Sequence, residues 1–155
     1  KIMGLVESEL DLSVSGIQDD FESVSGDMVL QCMTNVHWGR IHFTGARLLD
    51  VLERAGFGGG AEKVAIRGAD GFDTDLRIDE IREAPDAFLL AHAMNHEPIT
   101  PPHGFPIRTT ADGRYGYKWC KWPVEIEVVD YDYKGHYEGK RRWSDKGIRG
   151  TRVTP

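Results

Sequence analysis

Two neighbouring stretches, MVLQCMTN at residues 28–35 and HFTGARLLDVLERAG at residues 42–56, carry the strongest structural signals of the chain. The first is apolar up to its cysteine and predicts a short strand with Cys32 near its end. The second predicts an amphipathic helix, because apolar side chains recur on one helical face. That face contains Leu48, Leu49, Leu52 and Ala55. Thr44 is expected to cap this helix and Gly56 to end it.

Weaker patterns of the same kind extend over the rest of the chain. Alternating apolar residues predict strands at Leu10, Leu12 and Val14, at Val64 and Ile66, and at Val124, Ile126 and Val128. Gly16 and the turn at 68–71 are expected to end the first two strands. One or two helical turns at 78–82 and a buried element at 88–94 complete the prediction. Several strands with few short helices predict an α+β fold with mixed β-sheets, built as a single domain over residues 1–155.

Composition excludes several classes of protein. The formal net charge of −6 disfavours a nucleic-acid-binding role, because phosphate backbones attract a basic face. Two cysteines are too few for a disulfide scaffold. No stretch approaches the roughly 20 apolar residues of a membrane span, and no signal peptide is recognisable. The chain starts with Lys1 rather than Met, so an upstream leader or domain is one interpretation. We expect a soluble protein, cytoplasmic or periplasmic.

Two segments are candidates for chemistry. Cys32, at a strand end and followed by small polar residues, could offer a thiolate to a soft metal, although a buried structural cysteine is the alternative. The segment HGFPIR at 103–108, followed by YKWCKW at 117–122, combines a flexible glycine, an arginine and two lysines. These residue types suit a phosphorylated cofactor. The alternative is a solvated turn whose cationic side chains cover aromatic surface.

Five short motifs, taken in order, resemble those of the sulfite oxidase family of oxidoreductases, whose domain binds molybdopterin. They are LQCMTN with FTGARL at 30–35 and 43–48, GADGF at 68–72, LLA with MN at 89–91 and 94–95, HGFPIR at 103–108, and YGYK with KW at 115–118 and 121–122. The resemblance spans residues 10–143 and implies the family's fold. It also implies a molybdenum centre held by one molybdopterin dithiolene, a protein thiolate and oxygen ligands.

The resemblance assigns roles to individual residues. Cys32 matches the thiolate that binds the metal. Positions that hold the pterin or its phosphate, some of them through backbone groups, match Asn35, Asp70, His103, Arg108, Lys118, Trp119, Cys120 and Lys121. Among these, Arg108 and the lysines would neutralise the phosphate, and Asp70 would accept hydrogen bonds from pterin N–H groups.

Three positions depart from the family's pattern. His37 stands where sulfite oxidases use an arginine that attracts their anion, five residues after the cysteine. Phe43 replaces the usual tryptophan, and Trp143 stands at the position of an active-site tyrosine. An arginine site for sulfite is therefore not intact, and the pocket is expected to be more aromatic and less cationic. His37 and Trp143 are the expected catalytic residues on the substrate side, beside Cys32.

The resulting hypothesis is a molybdopterin-dependent oxidoreductase that transfers an oxygen atom to or from a small substrate. Electrons are expected to pass singly to a separate partner such as a cytochrome, because the sequence holds no Cys-x-x-Cys-His haem motif and too few cysteines for an iron–sulfur cluster. The alternative is a non-catalytic domain of the same fold that binds the cofactor or has lost it. A zinc site at Cys32, His37 and His42 is disfavoured, because their spacing fits no common ligand pattern.

Overall fold

Strands and short helices alternate along the chain in the computed structural model, which describes residues 1–34 and 36–155. The elements are β1 (Ile2–Gly4), α1 (Val14–Asp19), β2 (Ser23–Gln31), β3 (Trp38–Arg47), α2 (Leu48–Ala55), β4 (Lys63–Gly68), β5 (Asp73–Arg77), α3 (Ile78–Glu83), β6 (Leu89–Met94), β7 (Glu97–Pro98), β8 (Arg108–Thr109), β9 (Pro123–Val129) and α4 (His136–Arg141). Short 3-10 helices lie at Pro85–Ala87, Pro101–His103 and Gly116–Lys118.

The strands form two sheets. The first has the order β1-β9-β4-β5, with β1 parallel to β9 and the other pairs antiparallel. The second is antiparallel and has the order β2-β3-β6-β7, with β8 also paired to β6. Mixed sheets with few short helices confirm the predicted α+β class.

One hydrophobic core joins residues of both sheets to α2. The helix contributes Leu48, Val51, Leu52 and Ala55, all of them buried. The second sheet contains a close backbone approach at a β-bulge between β3 and β6, where a Cβ on Gly45 would lie 2.2 Å from the Leu90 carbonyl oxygen. Only glycine fits between strands at that separation.

The longest strand pair positions the loop that carries the first candidate residue. β2 and β3 pair from Ser23 with Ala46 to Gln31 with Trp38, and the loop 32–37 connects them. The Cys32 amide donates to the His37 carbonyl at 2.8 Å, which closes the loop. A Cβ on Gly116 would lie 3.4 Å from the Gln31 carbonyl oxygen, so the 3-10 helix at 116–118 packs directly against the strand end.

The strand predicted at Leu10, Leu12 and Val14 is wrong. Val14 begins helix α1, and Leu10 makes only an isolated bridge to Ile2. The Ser13 hydroxyl accepts a hydrogen bond from the Gly16 amide at 3.0 Å and caps the helix. A capped turn that buries Ile17 satisfies the backbone better here than an unpaired strand would.

The predicted start of the main helix is wrong as well. Thr44 lies inside β3, paired to Ser25 on one side and to Ala93 on the other, so its backbone bonds belong to the sheet. The helix begins at Leu48 after Arg47, and no side chain in the described part of the sequence caps it. Val51 rather than Leu49 is buried on its inner face, whereas Gly56 ends the helix in the left-handed conformation as predicted.

The remaining local predictions are confirmed. The strands at Val64 and Ile66 and at Val124 to Val128 form β4 and β9, residues 78–82 lie in α3, and the buried element at 88–94 is β6. The aromatic C-terminal region additionally contains α4, which no periodic pattern indicated.

Candidate functional site

Cys32 follows the last residue of β2 and is exposed. The Thr34 hydroxyl donates to its sulfur over 3.3 Å. Hydrogen bonds from the Thr34 side chain and backbone, and from the Met33 backbone, lower the pKa of the Cys32 thiol. Donors that stabilise the ionised sulfur favour the thiolate, which is the form that binds metals. The loop therefore presents an accessible thiol that is readily ionised.

The Cys32 side chain lines a cleft with a volume of about 610 Å³. The described residues that line it are Leu30, Cys32, Met33, His37, Trp38, Gly39, Ile41, Phe72, Gly116, Tyr117, Tyr137 and Trp143. The predicted residues Cys32 and His37 thus share one cleft with Trp143, which lies more than 100 residues further along the chain. His37 reaches it because its carbonyl accepts a hydrogen bond from the Cys32 amide, which holds the two residues side by side.

The wall around Trp143 consists of packed aromatic rings. Trp143 stacks on Tyr137 with ring centroids 4.4 Å apart, and Tyr117 meets Trp143 edge-on at 5.1 Å. Phe72 extends the wall, 6.1 Å from the Tyr137 ring. Sequence reasoning missed Phe72, Tyr117 and Tyr137 as cleft residues. The available signal was the richness of the C-terminal region in tyrosine and tryptophan.

A buried cluster of charges lies behind this wall and includes Lys118. The Lys118 ammonium contacts Glu138 at 2.6 Å and Asp75 at 3.1 Å, with all three side chains at most 2% exposed. Burial raises the pKa of Glu138, against the opposing attraction of Lys118. The predicted phosphate ligand thus has its side chain engaged by two carboxylates of its own chain.

Lys63 extends the same cluster towards the surface. Its ammonium contacts Asp132 at 2.6 Å, Asp145 at 2.7 Å and Asp75 at 3.0 Å. Burial alone would lower the pKa of Lys63, but its hydrogen bonds to these three carboxylates raise it above the ordinary value. Because Asp132 and Asp145 belong to the C-terminal region, the cluster fastens that region to the first sheet.

Arg108 is buried without a carboxylate partner among the residues that the structure describes. One terminal nitrogen donates to the His103 carbonyl at 3.1 Å, whereas Nε has no hydrogen-bond partner in the described part of the chain. The guanidinium lies 5.6 Å from the ring centroids of both Phe43 and Trp119. Burial lowers its pKa to about 10, which leaves it cationic at neutral pH. An unneutralised buried cation is suited to an anion such as a phosphate.

Other predicted cofactor residues surround Arg108. Lys121 forms a β-bridge with Arg108, and its ammonium donates to the Pro102 carbonyl at 2.7 Å. Gly104 holds these segments close, with a positive φ of 110° and its Cβ position 3.1 Å from the Arg108 Cβ. His103 is exposed beside it. The structure therefore brings His103, Arg108 and Lys121 together.

Asp70 and Cys120 join the same region from the other side. A Cβ on Gly68 would lie 2.7 Å from the Asp70 carboxylate, 2.8 Å from the Lys121 carbonyl oxygen and 3.2 Å from the Cys120 sulfur. Asp70 accepts a hydrogen bond from the Phe72 amide at 3.1 Å, and Phe72 lines the Cys32 cleft. This turn connects the surroundings of Arg108 to the cleft.

Trp119 and Cys120 are buried, and their side chains face the core. The Trp119 indole donates to the Arg114 carbonyl at 3.3 Å, and burial raises the pKa of the Cys120 thiol to about 12. Any contact of these two residues with a cofactor would therefore be made mainly through backbone groups. Asn35, the remaining predicted residue, lies outside the described residues.

Three other histidines lie away from this chemistry. His92 is half-buried in β6, and its desolvation lowers its pKa. The His42 ring contacts Asp27 at 2.8 Å and stacks on His96 at 4.4 Å. Among residues 1–34 and 36–155 there is no group of three or more His, Cys, Asp or Glu side chains arranged to hold a metal ion.

The described residues thus include an exposed thiol on a cleft and a buried arginine without a carboxylate partner, which are residue types suited to a soft metal and to an anionic group. The family profile described as "oxidoreductase molybdopterin binding domain" matches residues 1–137, and the chain belongs to this family. Its cofactor is the molybdenum–molybdopterin cofactor. Arg108, a buried cation with a free donor, fits the phosphate of that group.

Individual relatives agree with this assignment. The chain is 31% identical over 140 residues to the uncharacterized oxidoreductase YuiH of Bacillus subtilis, covering 89% of this chain and 68% of the relative. It is 27% identical over 192 residues to a nitrate reductase [NADPH] of Mycosarcoma maydis, covering 99% of this chain but only 19% of that protein.

A solved structure confirms the expected fold type. The sulfane dehydrogenase SoxCD of Paracoccus pantotrophus superposes with a TM-score of 0.78 at 20% sequence identity, covering 94% of this chain and 40% of that chain. The sulfite-oxidase-type fold implied by the sequence motifs is thereby confirmed. No helix among the described residues is long and apolar enough to cross a membrane.

Proposed function

We propose that this domain catalyses oxygen-atom transfer to or from a small substrate and exchanges electrons with a separate redox partner such as a cytochrome. The observation that carries the proposal is the Cys32 thiol, which is exposed, supported by hydrogen bonds and open to a cleft of about 610 Å³. When bound, the molybdenum cofactor supplies two-electron redox chemistry coupled to movement of an oxygen atom.

Different residues of the chain bind different parts of the cofactor. Cys32 ligates the metal, and the Thr34 hydroxyl donates to its sulfur, which favours the ionised form. Arg108 and Lys121 neutralise the phosphate, with His103 beside them. Asp70, Trp119 and Cys120 contact the pterin, the last two through backbone groups. Asn35 remains in this set as a prediction from the sequence.

The Lys118 side chain does not contact the phosphate. It is paired to Asp75 and Glu138, so Lys118 contributes to cofactor binding only through its backbone and through the position of its neighbours. His37 and Trp143 form the substrate side of the cleft. The His37 ring offers nitrogens that can donate or accept a hydrogen bond, and Trp143 excludes water from one wall.

Metal and pterin analysis of the domain from a host that makes molybdopterin tests this proposal. We expect near-stoichiometric molybdenum and pterin in the wild type, with a Mo(V) signal on partial reduction. Cys32→Ala should lose or alter that signal, whereas Tyr131→Ala, a control at an exposed tyrosine that does not line the cleft, should retain it. Wild-type protein without molybdenum and pterin, from a host that loads a control enzyme, would contradict the proposal. Bound cofactor without turnover of any substrate would favour the non-catalytic alternative.

A further inference from the structure

The cleft beside Cys32 is almost entirely apolar and aromatic. Its described lining contains no lysine, arginine, aspartate or glutamate, and His37 is the one basic side chain there. Large rings dominate the surface, from Trp38, Phe72, Tyr117, Tyr137 and Trp143. A cleft with this lining offers dispersion and ring contacts, but little to replace the hydration of an ion.

Two buried lysines close to the wall are neutralised within the chain and add little positive charge to the cleft. Lys118 follows the wall residue Tyr117, yet its ammonium is paired to Glu138 and Asp75 behind the rings. Lys63 is paired to three carboxylates in the same cluster. Neutralised cations produce only a weak field in the cleft, and the chain as a whole carries a net charge of −6.

The rim of the cleft adds a further apolar surface. The Trp38 indole is 69% exposed while lining the cleft at the start of β3. It lies at the far end of the loop that carries Cys32, because Gln31 and Trp38 are paired across that loop. An exposed indole at the entrance of an aromatic cleft can cover a flat apolar group as it binds.

We infer that the substrate is a neutral organic molecule that bears a flat, apolar group next to the heteroatom that gains or loses oxygen, rather than a small inorganic oxyanion. This inference rests on the proposed oxygen-transfer function. A small oxyanion entering this cleft would lose hydration without meeting a lysine or arginine among the described lining residues, whereas an aromatic substituent would replace water on the rings.

The reaction balances for a thioether and its sulfoxide as the probe couple. In the oxidative direction a thioether and one water give the sulfoxide, two protons and two electrons, so a sulfur–oxygen bond forms with oxygen from water. In the reductive direction that bond breaks and the oxygen leaves as water. The electrons pass singly to or from a one-electron carrier, for which a redox dye substitutes in the assay.

The test compares methyl phenyl sulfoxide, dimethyl sulfoxide and nitrate with a reduced viologen dye, and thioanisole and sulfite with an oxidised dye, on the cofactor-loaded domain. We expect kcat/KM for a phenyl compound to exceed that for dimethyl sulfoxide by at least about tenfold, because only the former has a ring to bury. Without dye, calorimetry should detect binding of methyl phenyl sulfoxide to the oxidised domain and none of nitrate.

Substitutions test whether the aromatic wall binds the phenyl group of the substrate. Trp143→Ala is expected to raise KM for methyl phenyl sulfoxide about fivefold or more while changing KM for dimethyl sulfoxide less than about twofold. Tyr131→Ala removes an exposed tyrosine that does not line the cleft and should change neither value. His37→Arg adds a permanent cation and should improve nitrate binding.

The outcomes separate the two proposals. Nitrate or sulfite turnover with a higher kcat/KM than any phenyl compound would overturn the inferred substrate class and leave oxygen-atom transfer intact. A molybdenum-loaded domain that neither binds nor converts the phenyl compounds would overturn the inference too. Protein that takes up no molybdenum in a competent host would overturn the proposed function itself, and metal analysis identifies that case before any assay.

Discussion

At the scale of single residues, the two cysteines differ in environment. Hydrogen bonds from Thr34 lower the pKa of the exposed Cys32, whereas burial raises the pKa of Cys120 to about 12. A lower pKa gives a larger thiolate fraction at any pH near or below it, and the thiolate is the nucleophile. At about pH 8, iodoacetamide should therefore alkylate Cys32 in the cofactor-free protein and spare Cys120. Peptide mass spectrometry measures both sites, and equal labelling in the folded protein would refute the assignment.

Arg108 is the second residue whose environment is informative, because it is a buried cation with an unpartnered Nε in the described chain. Arg108→Met keeps much of its apolar bulk but removes the charge. We expect pterin retention to weaken about tenfold or more, since a hydrogen bond to a charged group contributes about 1.5–3 kcal/mol. Arg77→Met, which removes an arginine paired to Asp79, is the control and should retain the cofactor. Equal pterin content in both variants would count against a phosphate role for Arg108.

At the scale of secondary structure elements, the pairing of β3 with β6 depends on a glycine, Gly45, at the β-bulge between them. A Cβ on Gly45 would lie 2.2 Å from the Leu90 carbonyl oxygen, so Gly45→Ala must push the two strands apart. We expect it to lower the free energy of unfolding by about 1–3 kcal/mol. Gly26→Ala on the neighbouring β2, where nothing lies within 4 Å of the new atom, should be neutral or slightly stabilising. Urea denaturation measures both, and similar values for the two variants would contradict this account.

At the scale of the whole molecule, the buried charge cluster couples the cleft wall to the first sheet. Lys118→Met would leave Glu138 buried without its ammonium partner, whereas Asp75 would keep its contact with Lys63. Breaking a buried pair typically costs about 3–5 kcal/mol. The pKa of Glu138 is already raised by burial and would rise further without Lys118. A carboxyl whose folded pKa exceeds its unfolded value destabilises the folded state as pH rises through that interval. The loss should therefore be larger at about pH 8 than at about pH 5.

A second variant keeps this whole-molecule prediction falsifiable. Adding Glu138→Gln to Lys118→Met removes the unpaired Glu138 charge and should recover part of the stability while reducing its pH dependence. Thermal unfolding at both pH values measures the effect. A double variant that is no more stable than Lys118→Met alone would show that the pairing of Lys118 with Glu138 does not stabilise the packing of the aromatic wall.

Much of the fold and part of the candidate site could be predicted from local patterns. The strands at 64–66 and 124–128 and the helix end at Gly56 follow from periodicity and glycine conformation, which act over a few residues. The strand predicted from Leu10 to Val14 was wrong because Ser13 caps a helix that begins at Val14, and the alternation of apolar residues does not reveal that cap. Thr44 failed as a cap because its backbone pairs on both sides within the sheet, which no local pattern reveals.

The sequence alone determined the α+β class, the family with its molybdenum cofactor, and Cys32 as the candidate metal ligand, because ordered motifs and short-range periodicity carry that information. Only the tertiary structure decided which charges are neutralised. Lys118 and Arg108 look equally suited to a phosphate in the sequence, yet Lys118 meets carboxylates 43 and 20 residues away, whereas Arg108 meets aromatic rings. Neutralisation depends on which groups converge in space, and that convergence arises only when both sheets and the C-terminal region pack together.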